Sequence, residues 1–254
     1  MRTLRDKQES GIRNQDSGLG KVEGRRLARN QPTISTRIVL PRQFFERPTL
    51  TVAAELLGKV LVHRTRAGVA AGLIVEAEAY IGEDDPACHA APGPTMRNAP
   101  LYGPPGVAYV YLNYGIHYLV NAVTESEGSP AAVLIRALEP IDGIALMTRR
   151  RRPEKGGRES FSVKRKMTPD PITDLCRGPG NLTQALGITL AENRLDLTSS
   201  RLSIEDRGHV PSLIAWGPRI GIRVGSDRPW RCWIDGHPCV SGPQSRAKAR
   251  ATMS

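Results

Sequence analysis

The run Leu73-Ile74-Val75-Glu76-Ala77-Glu78-Ala79-Tyr80 lies between a glycine-containing turn region (RAGVAAG, 66–72) and a long Pro/Gly-rich stretch (81–106). It reads as a strand. Alternation puts Ile74, Glu76, Glu78 and Tyr80 on one face, and Val75, Ala77 and Ala79 on the other. The second face is small and apolar, so it is expected to pack inward, and the first presents two carboxylates and a phenol together. Neighbouring carboxylates are costly to bury unless one is protonated or a cation pairs with them. The cation is found 58 residues on from Glu78, where Arg136 alone interrupts the apolar run AAVLIRAL (131–138). That run reads as a buried central strand, and a buried Arg demands an acidic partner. Two readings are open here: a Glu–Arg bridge that only fixes strand pairing, or a carboxylate poised as a general base beside an Arg that positions water.

Outward from these two strands, structure should begin near Arg37-Ile38-Val39-Leu40. Thr51 can cap a short helix through Leu57, ended by Gly58. KVLVHRT (59–65) reads as a strand, and VAYVYLNYGIHYLVNAV (107–123) as a hairpin turning near Tyr114-Gly115. Helices are expected over Asp142 to Arg150 and over Asn181 to Leu186. The last third alternates short apolar runs (Leu202–Ile204, Arg219–Val224, Trp230–Ile234) with turn residues, so it reads as β-rich. The expectation is α+β, with one domain over 36–243, a disordered basic tail over 1–35, a basic mobile loop over 149–168 and a flexible tail over 244–254.

Composition narrows the function. Four cysteines without a CxxC pair exclude a disulfide scaffold and a zinc ribbon. No apolar run approaches the roughly 20 residues of a spanning helix, and the polar N-terminus lacks the apolar segment of a secretory signal. The net charge of +11 sits in two segments, +4 over residues 1–36 and +7 over 149–166. A run such as Arg149-Arg150-Arg151-Arg152 is either a solvated face or a phosphate-tracking loop, and nucleic acid is the expected partner.

All six tyrosines fall between Tyr80 and Tyr118. Tyr109 and Tyr111 share one strand face. Tyr114, at the hairpin turn, gains little from the core and reads as a surface accident or as a wedge into a duplex. Asn121 follows on the return strand among apolar residues, where its amide needs partners that a base edge could supply. Cys88-His89 has no second ligand pair at usable spacing, so no metal is expected.

The segments IVEAEAY-IGEDDPACHA (74–90), TMRN (95–98), PPGVAYVYLNYGIHYLVN (104–121), AVLIRALEP (132–140), CRGPGNLTQALGI (176–188) and PRIGI (218–222) together resemble the alkyladenine (3-methyladenine) DNA glycosylase family. The resemblance keeps this order from about Arg37 to Ser241. It implies a curved, mostly antiparallel, barrel-like sheet flanked by short helices, similar to the C-terminal domain of formyltransferases. It implies that Glu78 is the general base that activates water for attack on C1′ of a flipped nucleotide, and that Arg136 helps to hold that water. Tyr80, His89 and Tyr111 would stack the extruded base, Asn121 would disfavour a guanine 2-amino group, and Tyr114 would fill the gap left by flipping. Gly178, Gly180 and Asn181, at a helix N-terminus, and Arg219 would meet the DNA backbone. The basic insertion, with Ile116 and His117, departs from the family pattern and bears on the DNA footprint rather than on the chemistry.

The physics agrees with that implication. A glycosidic bond is unreachable inside a duplex, so the base must leave the stack, and an aromatic wedge and a stacking pocket offset the cost. The chain has seven lysines and none between Lys59 and Lys155, so the motif-rich segment offers no Schiff-base amine. The expected protein is a monofunctional hydrolase of the base-excision type. It would act without cofactor or metal as a monomer on double-stranded DNA containing alkylated or deaminated purines (3-methyladenine, 7-methylguanine, hypoxanthine, ethenoadenine). It would work away from membranes, in cytoplasm or nucleoid, or in a nucleus if eukaryotic. The alternatives are a non-catalytic nucleic-acid-binding module and an RNA-binding domain like a formyltransferase tail. The second leaves the carboxylate pair unexplained.

Overall fold

A computed structural model describes residues 37–152 and 171–244. The expected tails and most of the basic segment lie outside the described residues.

A single antiparallel sheet of nine strands carries the fold. In chain order its elements are β1 (Ile38–Val39), helices α1 (Arg42–Phe45) and α2 (Thr49–Leu56), and then β2 (Val60–Thr65) and β3 (Gly68–Ile81). After a long loop come β4 (Ala108–Asn113), β5 (His117–Val123), β6 (Ala131–Asp142) and helices α3 (Ile144–Arg151) and α4 (Pro179–Leu186). The chain closes with β7 (Leu202–Asp206), β8 (Ile214–Gly217) and β9 (Arg231–Ile234). The path β1-β7-β2-β3-β6-β5-β4 is extended by β9, which pairs with β3 and β8. The sheet is curved and mixed with short helices, as expected for α+β, but it does not close into a barrel.

β3 organises the rest. Its first half pairs with β2 and its second half with β9, while its other edge pairs with β6 from Ala71 to Ile81. It is longer than the sequence suggests because the turn region is spent on Arg66-Ala67 and the strand resumes at Gly68. Both faces of β3 are buried from Ala70 to Ala79, so the expected contrast between an inward and an open face is absent there. The β3–β6 ladder carries three irregularities: Ile141 is skipped between the pairs Ala71–Asp142 and Gly72–Pro140, and the other two cancel. Val75 has no partner between the pairs Ile74–Leu138 and Glu76–Ala137, and Arg136 has none between Glu76–Ala137 and Ala77–Ile135. One extra residue on each strand restores the register, and bulges of this kind re-aim side chains.

Other differences from expectation are local. The helix after Pro48 begins at Thr49 and has no side-chain cap, so Thr51 lies inside it. Residues 219–224 are irregular and the adjacent strand is Ile214–Gly217 instead. The hairpin turns where expected, with Tyr114 and Gly115 both in the left-handed region (φ 49° and 68°) and the Ile116 N–H bonded to Asn113 O.

Candidate active site

Arg136, freed from the ladder, lies between the two β3 carboxylates. Its Nε donates to Glu76 Oε1 at 3.0 Å and its Nη1 reaches Glu78 Oε1 at 3.1 Å. The carboxylates are both fully buried, yet their surroundings differ. Glu76 also accepts from Arg231 Nη1 (2.9 Å) and from the Ser241 N–H (2.6 Å), so cations and an N–H donor surround it. Glu78 accepts from the Ile220 N–H at 2.7 Å and from the Tyr80 hydroxyl at 2.8 Å. Tyr80, Arg136 and Ile220 all line one cavity of about 340 Å³, so Glu78 lies directly behind its wall. Both carboxylates thus bridge to Arg136, but the other partners of Glu76 are Arg231 and the Ser241 N–H, while those of Glu78 are two residues that line the cavity.

Burial raises the Glu78 pKa above the ordinary carboxylate value; the Arg136 charge, the Ile220 N–H and the Tyr80 hydroxyl oppose the rise and Glu76 adds to it. On Arg136, burial acts downward, but the Glu78 and Glu76 charges outweigh it and its pKa is raised. Burial, and then the Glu78 charge, pushes the Tyr80 phenol far up, so it stays a donor.

The aromatic wall is built by β4 and the loop after β3. The Tyr109 and Tyr111 ring centroids are 5.2 Å apart, and His89 packs edge-on against Tyr111 at 4.4 Å. His89 Nδ1 and the Tyr109 hydroxyl are 2.8 Å apart. Burial raises Tyr109 to about 12 and lowers His89, with Arg97 lowering it further. The phenol therefore stays protonated and the imidazole neutral near pH 7. Asn98 holds the loop by donating to His89 O and Gly93 O. Asn121, buried on β5, donates to Tyr109 O at 3.0 Å and lines the cavity with Leu134.

Tyr80, His89, Tyr111, Asn121 and Arg136 are therefore brought to one cavity, with Glu78 behind it. Tyr114 also borders the cavity but stands 85% exposed at the hairpin tip. Gly178 (φ 107°) caps α4, whose Pro179 reaches the cavity. A Cβ on Gly180 would lie 2.7 Å from His117 Cγ, so this glycine lets the helix approach the hairpin. Asn181 donates back to Arg177 O. Arg219 departs from the expected backbone contact. Its guanidinium is buried and held bidentately by Asp85 (2.5 and 2.8 Å), which leaves no open face for a phosphate.

Sequence reasoning missed three parts of the site. Arg231 and Ser241 satisfy Glu76, Ile220 gives Glu78 its N–H donor, and Asp85 and Arg219 pair across 134 residues. Arg231 carried a signal, being an Arg at the head of a short apolar run. A backbone donor carries none.

Residues 43–238 match the profile of the methylpurine-DNA glycosylase family. The chain is similar to proteins that bear the provisional name 3-methyladenine DNA glycosylase. It is 48% identical to one from Methanocella arvoryzae over 207 residues (80% of this chain, 96% of that protein). It is 46% identical to one from Burkholderia lata over 211 residues (82% and 93%) and 46% identical to one from Rhodopseudomonas palustris over 208 residues (82% and 90%). A match over most of the chain, with a buried carboxylate and guanidinium at an aromatic cavity, leads to one conclusion: the chain belongs to the methylpurine-DNA glycosylase family and is a DNA N-glycosylase, a hydrolase.

Proposed function

We propose that this glycosylase flips alkylated or deaminated purines out of duplex DNA and hydrolyses their glycosidic bond without strand cleavage, leaving an abasic site. The observation that carries the reading is the Glu78 carboxylate, bonded by Arg136, Ile220 N–H and Tyr80 O–H behind a cavity of about 340 Å³. That volume is in the range of small-ligand sites, roughly 300–1,000 Å³. In this mechanism Tyr80, His89 and Tyr111 stack the extruded base and Tyr114 fills its place in the duplex. Glu78 takes a proton from water as the oxygen attacks C1′, and the C1′–N bond breaks with its electron pair leaving on the base. Arg136 opposes the burial-driven rise in the Glu78 pKa and helps to hold the water before attack. Asn121, fixed through Tyr109 O, favours purines without a 2-amino group. Gly178, Gly180 and Asn181 support the backbone-facing helix end. The lack of lysines from 60 to 154 supports a hydrolytic route with no imine.

The protein is proposed to act as a monomer in the cytoplasm or at the nucleoid, without cofactor. No helix among the described residues is long and apolar enough to cross a membrane. The test is incubation with duplexes containing hypoxanthine or 1,N6-ethenoadenine under single-turnover conditions. Base release is expected with strand scission only after alkali. A borohydride-trapped adduct would overturn the hydrolytic assignment, and binding without release would favour a non-catalytic module.

A further inference from the structure

Arg219 and Asp85 do not line the cavity, yet they touch three parts of its surroundings. Both side chains are inaccessible to solvent. A buried pair yields little net stability compared with apolar packing, while a broken one is costly, so what such a pair supplies is geometry. Asp85 also accepts the N–H groups of Ile81 and Ala87, so the start of the loop that carries His89 is wound around its carboxylate. Arg219 Nη1 donates to the carbonyl of Ala79, between Glu78 and Tyr80, and Nη2 donates to Gly225 O. The guanidinium lies 4.6 Å from the centroid of the Tyr80 ring, which itself lines the cavity. The next residue, Ile220, gives its N–H to Glu78 at 2.7 Å. The space around the pair is full, since a Cβ on Gly225 (φ 64°) would lie 2.9 Å from Arg219 Nη2.

We propose that the Asp85–Arg219 pair is a positioning clamp, tying the His89 loop and the Ile220 segment to the strand that bears Glu78, so that the cavity wall and the carboxylate's N–H donor are held as one unit. The inference rests on the proposed role of Glu78. Neither residue touches substrate; both act through Tyr80, His89 and Ile220. The charged and titratable groups that face Glu78 are Glu76 and Tyr80 on β3, Arg136 on β6, Tyr111 on β4, Cys232 on β9 and Arg219 itself. Loosening the clamp removes the N–H that favours ionised Glu78 while leaving Arg136 in place.

The test uses Arg219→Lys, Asp85→Asn and the neutral pair Asp85→Asn/Arg219→Gln in the full chain. Three readouts are taken: hypoxanthine release under single turnover across pH, amide hydrogen exchange at Ile220, and thermal melting. Folded variants are expected to release the base about 10²-fold more slowly, the loss typical of an ångström-scale misplacement. Their acid limb is expected to move to higher pH and Ile220 to exchange faster. Reduced amplitude with an unmoved acid limb and unchanged Ile220 protection would overturn the clamp. Failure of all three variants to fold would also overturn it, by assigning the pair to stability alone. A wild type that releases no hypoxanthine would count against the functional reading instead, with exchange at Ile220 still deciding the clamp.

Discussion

Replacing Glu78 by Gln separates chemistry from architecture. The amide is the same size, its oxygen can still accept the Ile220 N–H, and its NH₂ can donate to the Tyr80 oxygen, so the hydrogen bonds at 2.7 and 2.8 Å have replacements. What is lost is charge. Glu76 and Glu78 balance Arg136 and Arg231, and the substitution leaves one carboxylate serving two guanidiniums. Breaking a buried pair outright costs about 3–5 kcal/mol. Here Arg136 keeps its 3.0 Å bond to Glu76, so the loss should fall to about 1–3 kcal/mol, or roughly 2–12 °C in melting temperature for a domain of this size. The variant should fold, bind hypoxanthine-containing duplex with near wild-type affinity in a gel-shift titration, and release the base about 10²–10⁴-fold more slowly. Single-turnover release within threefold of wild type, on protein shown to be folded, would refute the assignment of Glu78 as the base.

Three other outcomes follow from the geometry. Tyr114→Ala should leave the melting temperature unchanged, because the side chain is 85% exposed, but should weaken binding of lesion duplex by tenfold or more; equal affinity would remove its wedge role. Gly180→Ala places a Cβ 2.7 Å from His117 Cγ and 2.9 Å from His117 Cβ and should destabilise by about 1–3 kcal/mol in a thermal melt, and adding His117→Ala should restore only part of the loss because the His117 Cβ remains. Burial lowers His63 below its ordinary pKa of 6.5, with Leu186 O and Glu192 opposing the shift. The unfolded chain therefore binds the extra proton, so this contribution is complete above pH 6.5 and lost as pH falls below it. Melting temperature should drop across that window, and His63→Gln should shrink the drop while leaving the part due to His89, which is also lowered.

How much of this was legible in the sequence depends on distance along the chain. The strand at 73–80, the hairpin with its turn at Tyr114-Gly115 and the lone Arg136 announce themselves through alternation, glycine chemistry and a charge out of place. Those signals are local, and they were enough to bring Glu78, Tyr80 and Arg136 together. Thr51 was misread because a polar residue one turn into a helix resembles a cap when Pro48 already fixes the entry. Residues 219–224 looked like a strand through Ile220, Ile222 and Val224, but Gly221 and Gly225 adopt positive φ and the segment bends around Asp85 and Glu78 instead. Arg219 was placed at the DNA surface because a basic residue in a motif suggests phosphate, while its true partner is an acid 134 positions away.

The cancelling slips of Val75 and Arg136 have one more consequence. Losing either residue alone would throw every later rung between the two strands out of step, whereas losing both would keep the rungs in step and leave only the slip at Ile141. The guanidinium that holds Glu78 thus sits on a residue that the ladder does not count but the buried charges require. A chain shorter by those two positions would keep the pairing but leave Glu78 buried without its cation, so it should lose stability together with activity.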